Sequence, residues 1–256
     1  MKIALSGKGG SGKSSLTALI ARSLSRRGLA VLVIDADESN TSLYRLLGAE
    51  APLNLLDHLG GKKAWKQKLN QTFPPPDEPL FQERLTTAEL PAECVTRENG
   101  ISLLTVGKIH EAGEGCACSL GLLSKTVLSR LDLADDEVVL IDTEAGIEHF
   151  GRGVDADCDL IIGIIDPAFE SFTMAERIAA MAKSIGRDAY FIINKFDSRA
   201  DAVIGRYIPE EKILARLPHT DALFLASLEG TALDMDMPEI EPVIQLIETR
   251  LRRSIP

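Results

Sequence analysis

Nine residues near the amino terminus constrain this chain more than any others. Gly7-Lys8-Gly9-Gly10-Ser11-Gly12-Lys13-Ser14-Ser15 fits the pattern G-x-x-x-x-G-K-[ST], directly after a short apolar run and directly before a helical one. Glycines let backbone N–H groups turn inward around phosphate oxygens. The helix that follows adds the positive end of its dipole. In such a loop Lys13 is expected to reach the β- and γ-phosphates of a nucleotide, and the Ser14 hydroxyl to bind Mg²⁺. The motif works only as strand, loop and helix, so it selects an α/β fold.

The rest of the chain agrees with that class. Short apolar, β-branched runs predict strands at Ile3–Ser6, Ala30–Asp35, Ile101–Val106, Val138–Asp142, Leu160–Ile165, Ala189–Ile193 and Ile213–Leu217. They are apolar on both faces, as strands covered by helices on both sides must be. Helical patterns occupy Lys13–Arg27, Leu120–Leu131, Phe169–Ile185 and Pro238–Arg253. The alternation predicts one domain over residues 1–256, a mostly parallel, doubly wound sheet of about seven strands. The rhythm breaks over about 60–100, where Lys62, Lys63, Lys66 and Lys68 precede Pro74-Pro75-Pro76. Three prolines suit neither a helix nor a central strand. This stretch is read as a surface insertion.

Composition narrows the function. Acidic residues outnumber basic ones, 38 to 28, for a formal net charge of −10. Nucleic-acid binding needs a cationic face and is not expected. No apolar run reaches the roughly 20 residues of a membrane span, and the amino terminus is no signal peptide. A cytoplasmic protein without membrane attachment is expected. Cys94, Cys116, Cys118 and Cys158 are too few for a disulfide scaffold. Cys94 and Cys158 are isolated and read as structural.

Lys8, a second lysine early in the loop, resembles the deviant Walker A motif K-G-G-x-G-K-[ST]. That motif marks the family of MinD, ParA, the arsenite-pump ATPase and the nitrogenase iron protein. The resemblance implies a nucleotide-sandwich homodimer, with Lys8 crossing to the nucleotide of the other subunit and stabilising transition-state charge. Asp35-Ala36-Asp37 ends a strand and resembles the family's switch I. By that match Asp37 positions the attacking water near Mg²⁺, with Asp35 structural. The other reading of Asp37 is a helix cap for the segment after it. Val138-Val139-Leu140-Ile141-Asp142 is the Walker B arrangement, with Asp142 holding Mg²⁺, and Asp142–Gly146 would be switch II. Asn194 matches the family's base-contacting asparagine. The string Asn194-Lys195-Phe196-Asp197 also reads as N-K-x-D, the guanine-reading pattern of many GTPases. The family mostly uses ATP, which favours ATP. Pro218 falls where the family packs around the base.

Gly115-Cys116-Ala117-Cys118 is a C-x-C pair in a glycine-rich context. Two thiolates cannot enclose a metal, but two subunits related by a two-fold supply four, a set suited to Ni²⁺, Zn²⁺, Cu(I) or an iron–sulfur cluster. Together with Lys8–Ser14 and the string Glu144-Ala145-Gly146-Ile147-Glu148-His149-Phe150-Gly151-Arg152-Gly153, this pair resembles the CO dehydrogenase maturation ATPases (CooC type). The resemblance spans nearly the whole chain. It implies ATP-dependent dimerisation, Ni²⁺ (or Zn²⁺) held by Cys116 and Cys118 at the dimer interface, and delivery to carbon monoxide dehydrogenase or a related nickel enzyme. Ser119 stands where such proteins often have proline. Two alternatives remain. One is an ATP-driven iron–sulfur electron donor, although His149 stands where the nitrogenase iron protein has its second cluster cysteine. The other is a positioning ATPase of the MinD or ParA class, although the stripe Ile240, Val243, Ile244, Ile247 and Leu251 reads as core.

Overall fold

The computed structural model describes residues 1–71, 83–108, 118–151 and 153–254. The triple proline lies outside them, as do Cys116 and Arg152. In chain order the elements are β1 (Lys2–Gly7), α1 (Lys13–Arg26), β2 (Ala30–Asp35), α2 (Leu43–Leu46), α3 (Leu55–His58), α4 (Gly61–Gln71), β3 (Val95–Glu98) and β4 (Ile101–Thr105). They continue as α5 (Cys118–Arg130), β5 (Glu137–Asp142), α6 (Glu148–Gly151), β6 (Leu160–Ile165), α7 (Phe169–Ser184), β7 (Asp188–Phe196), α8 (Asp201–Tyr207), β8 (Ile213–Pro218), α9 (Asp221–Glu229) and α10 (Glu241–Ser254).

The strands form one sheet in the order β3-β4-β2-β5-β1-β6-β7-β8. Every pairing is parallel except β3 with β4. All seven strands expected from the sequence are present. The eighth, β3, lies inside the stretch read as an insertion.

Side-chain alternation divides the interior into two layers. Ile3, Leu5, Val31, Val33, Leu140 and Ile162 point to a core shared with α1, α2 and α10. Ala4, Leu32, Ile34, Val139, Ile141 and Ile161 point to a core shared with α3, α4, α5 and α7. That double coverage is why the strands read as unbroken apolar runs rather than as alternating ones. The stripe Ile240, Val243, Ile244, Ile247 and Leu251 on and before α10 is buried in the first layer. No described helix is long and apolar enough to cross a membrane.

The 60–100 stretch is not all surface. Trp65 of α4 is fully buried, and Leu85, Leu90 and Cys94 join it in the same core. Trp65 is the chain's only tryptophan. Replacing Trp65 by Ala should therefore cost about 3–5 kcal/mol, the loss for a buried aromatic, whereas an insertion lying outside the core would lose well under about 1 kcal/mol. Urea unfolding followed by circular dichroism measures the difference.

Candidate functional site

Parallel strands end together, so the residues at their carboxyl ends meet at one edge of the sheet. Gly7 closes β1, Asp35 closes β2, Asp142 closes β5, Asn194 lies near the end of β7, and Pro218 closes β8. The loop leaving β1 turns at Gly10 and Gly12, whose φ angles are 77° and 98°, in the left-handed region that favours glycine. A Cβ on Gly12 would also stand 2.3 Å from Asn194 Nδ2.

A cavity of about 430 Å³ opens above this edge. The loop residues Gly9, Gly10, Gly12, Lys13, Ser14 and Ser15 line one side of it. Asp37, Asn40 and Ala145 line another part, and Asn194, Pro218, His219, Thr220 and Phe224 form the far end. Gly7, Lys8 and Ser11 do not line it.

The buried centre is a hydrogen-bonded cluster. Ser14 Oγ donates to Asp142 Oδ2 at 2.6 Å. Asn40 Nδ2 donates to Ser14 Oγ at 2.7 Å and to Asp142 Oδ2 at 3.2 Å. Lys13 Nζ donates to the Gly7 and Lys8 carbonyls at 3.2 and 3.3 Å. Asp37 Oδ1 accepts from the Ser39 N–H and hydroxyl at 2.9 and 2.6 Å. It therefore caps its own turn rather than the short helix α2, whose cap position is Ser42. Behind it Lys108 Nζ donates to Asp35 Oδ2 and to the Asp37 carbonyl, each at 2.6 Å. Asn40 and Lys108 were not singled out from the sequence. Their position just past the ends of β2 and β4 was the available signal.

This cluster fits Mg²⁺ and a nucleotide. Asp142 Oδ1 and Ser11 Oγ are buried without a hydrogen-bond partner, and buried orphan acceptors and donors are costly unless a ligand or water completes them. Burial pushes the Asp142 carboxyl up to about 6, with the Ser14 hydrogen bond and Lys13 opposing. Burial likewise pushes Asp35 up to about 7, against the pull of Lys108. A bound cation would supply the charge that these buried carboxylates lack. Among the described residues there is no group of three or more His, Cys, Asp or Glu able to hold a metal.

The remaining candidates are dispersed. Lys8 Nζ pairs with Glu170 Oε2 of its own chain at 2.8 Å on the surface. Cys118 is the first residue of α5 and its side chain is not described. Cys94 and Cys158 are buried, and burial raises both thiol pKa values. His149 is buried with Nε2 at 3.6 Å from Asp155 Oδ1. Switch II touches the phosphate loop directly, since the Gly146 N–H donates to the Gly7 carbonyl at 3.0 Å. It also reaches α5: Leu120, Gly121 and Ser124 share a cavity of about 20 Å³ with Thr143, Glu144 and His149.

A phosphate loop at the edge of a parallel sheet, faced by Asp142 and Asp37, defines the class of P-loop nucleotide hydrolases. The sequence profile of the CobQ/CobB/MinD/ParA nucleotide binding domain (CbiA) matches residues 2–233, and the chain belongs to that family of ATP-binding, ATP-hydrolysing proteins. It is 42% identical over 247 residues to an uncharacterized ATP-binding protein of Methanocaldococcus jannaschii, covering 96% of this chain and 99% of the relative. It is 32% identical over 240 residues to the carbon monoxide dehydrogenase accessory protein CooC of Rhodospirillum rubrum, covering 90% and 88%. Its fold matches the cell division ATPase MinD of Pyrococcus furiosus with a TM-score of 0.67 at 19% identity, covering 97% and 98%.

Burial of the two carboxylates makes the sign of the pH dependence definite. Their folded pKa values lie above the ordinary 3.8, so the folded state holds more protons than the unfolded one between about pH 4 and 7. Stability of the nucleotide-free protein should rise as pH falls through that window. Asp142→Asn should raise the melting stability at pH 7.5, by on the order of 1–3 kcal/mol, while abolishing Mg²⁺-dependent nucleotide hydrolysis. Thermal melts at pH 5.5 and 7.5 beside a phosphate-release assay check both halves.

Proposed function

We propose that this ATPase is a metal-insertion factor that works as a nucleotide-sandwich homodimer and delivers nickel to carbon monoxide dehydrogenase or a related nickel enzyme. The observation that carries this reading is the C-x-C pair of the sequence, Cys116 and Cys118, in a chain 32% identical to CooC over 90% of its length; Cys118 is the first residue of α5. Two such pairs across a two-fold give a thiolate set for one Ni²⁺ or Zn²⁺.

In this reading Lys13 and the loop N–H groups hold the β- and γ-phosphates of ATP. Ser14, Asp142 and Asp37 hold Mg²⁺, which neutralises charge on the phosphates when bound. Asp37 also orients the attacking water. Asn40 keeps Ser14 and Asp142 aligned, as its two hydrogen bonds support. Lys8 leaves Glu170 and reaches the partner's nucleotide, supplying positive charge to the transition state. A solvent-exposed pair such as Lys8–Glu170 is screened and weak, so exchanging it costs little. Asn194 and Pro218 bound the base end. Loss of the γ-phosphate would shift switch II at Gly146, and the small cavity that switch II shares with α5 offers a route for that shift toward the start of the helix at Cys118.

A MinD-like positioning role is favoured by the fold likeness and by the family profile that the chain shares with MinD and ParA. The apolar stripe of α10 is occupied in the core, so this helix offers no apolar face to a membrane. Metal content after anaerobic nickel loading and desalting separates the readings. About one nickel per two chains, lost in Cys118→Ala while nucleotide binding persists, is the expected result. Four irons with acid-labile sulfide per dimer would make the protein an electron donor. No bound metal would return it to the positioning class.

A further inference from the structure

The chain carries a complete N-K-x-D string, yet the structure uses only part of it. Asn194 Nδ2 donates to the Ser11 carbonyl at 2.7 Å and Lys195 Nζ to the Gly10 carbonyl at 2.8 Å, and both residues line the nucleotide cavity. Asp197 does not line it. The strand departs from regular pairing between Ile193 and Phe196, and Lys195 adopts a left-handed φ of 53° there. Beyond that bulge the Asp197 carboxylate is held by Arg199. It accepts from the Arg199 N–H and Nε, each at 2.9 Å to Oδ1, and from Nε and Nη2 at Oδ2. This fork-to-carboxylate pairing keeps the Asp197 carboxyl well ionised, at about 2.

The far end of the cavity supplies different chemistry. Pro218, His219 and Phe224 give flat or apolar walls, and the His219 and Phe224 rings lie 6.1 Å apart. Thr220 beside them also lines the cavity, and its Oγ1 is buried without a hydrogen-bond partner. A hydroxyl both donates and accepts, which suits the adenine edge with its ring-nitrogen acceptor and amino donor. Guanine presents adjacent ring and exocyclic N–H donors, which a carboxylate accepts together and most strongly. A carboxylate placed there would face the lone pair of adenine N1 and repel it.

We infer that Arg199 is a specificity-determining residue, holding Asp197 out of the base end so that the N-K-x-D string does not read guanine and the cavity selects adenine. Arg199 acts through Asp197 and touches no reacting atom. Discrimination then rests on withholding a guanine acceptor as much as on contacts made to adenine. The Arg199 side chain is 90% exposed and that of Asp197 42%, so the clamp is a modest one and its release moves the preference by about two- to five-fold.

The test is equilibrium binding of Mg·ADP and Mg·GDP, by titration calorimetry, to wild type, Arg199→Ala, and Arg199→Ala combined with Asp197→Ala. The ADP-to-GDP affinity ratio should fall two- to five-fold in the single variant and recover in the double variant. Both ligands share the phosphate machinery, so general damage to the fold leaves the ratio unmoved. Arg199→Gln, which keeps a long polar side chain, serves if the alanine variant is poorly folded. An unchanged ratio in folded Arg199→Ala or Arg199→Gln would overturn the inference. So would a lowered ratio that persists without Asp197.

Discussion

The hydrogen bond from Ser14 to Asp142 ties the first turn of α1 to the end of β5, and the site is organised around it. It exists because β1 and β5 are parallel neighbours, registered so that Leu5 stands opposite Asp142. The phosphate loop therefore leaves β1 beside the strand that brings the carboxylate. The neighbouring pair β2 and β5 is registered so that Asp35 also stands opposite Asp142. One sheet edge thus gathers two buried carboxylates, a hydroxyl and a lysine at the floor of the cavity.

That arrangement is held against a cost. Buried carboxylates lose hydration, and both Asp35 and Asp142 have pKa values raised above the ordinary range. Lys108 offsets part of the charge at Asp35, and Ser14 and Asn40 donate to Asp142. Asp142 Oδ1 stays without a partner. The free protein thus carries an electrostatic deficit that Mg²⁺ bound with nucleotide is suited to relieve. Sites poised in this way trade stability for binding.

Much of the fold could be read from residue patterns, for physical reasons. Seven strands announce themselves because helices cover both faces and make each run apolar throughout. The edge strand β3 does not, since Val95-Thr96-Arg97-Glu98 is short and buried only at its first residue. Trp65 sits among four lysines in the sequence, and nothing there signals that it turns into the core. Within the site, motif spacing points to Gly7–Ser15, of which Gly9, Gly10, Gly12, Lys13, Ser14 and Ser15 line the cavity and Gly7, Lys8 and Ser11 do not. It could not identify Asn40 or Lys108, whose roles come from contacts across 26 and 73 positions of sequence. The N-K-x-D string shows the limit most clearly. Its spelling points to guanine, while the bulge at Lys195 and the pairing with Arg199 take the aspartate elsewhere.

In the proposed function, nucleotide at the phosphate site and metal at the cysteines are coupled through the segment 142–146, which shares a small cavity with α5, the helix that begins at Cys118. Linkage requires that the coupling run equally in both directions. The most direct measurement is therefore the nickel affinity of the wild-type protein with Mg·ADP and with a non-hydrolysable Mg·ATP analogue. The account predicts that the two nucleotide states differ in nickel affinity by at least about five-fold, with the same factor appearing as the change nickel makes in the ratio of the ATP-analogue and ADP affinities. Equal nickel affinities in the two states would contradict it.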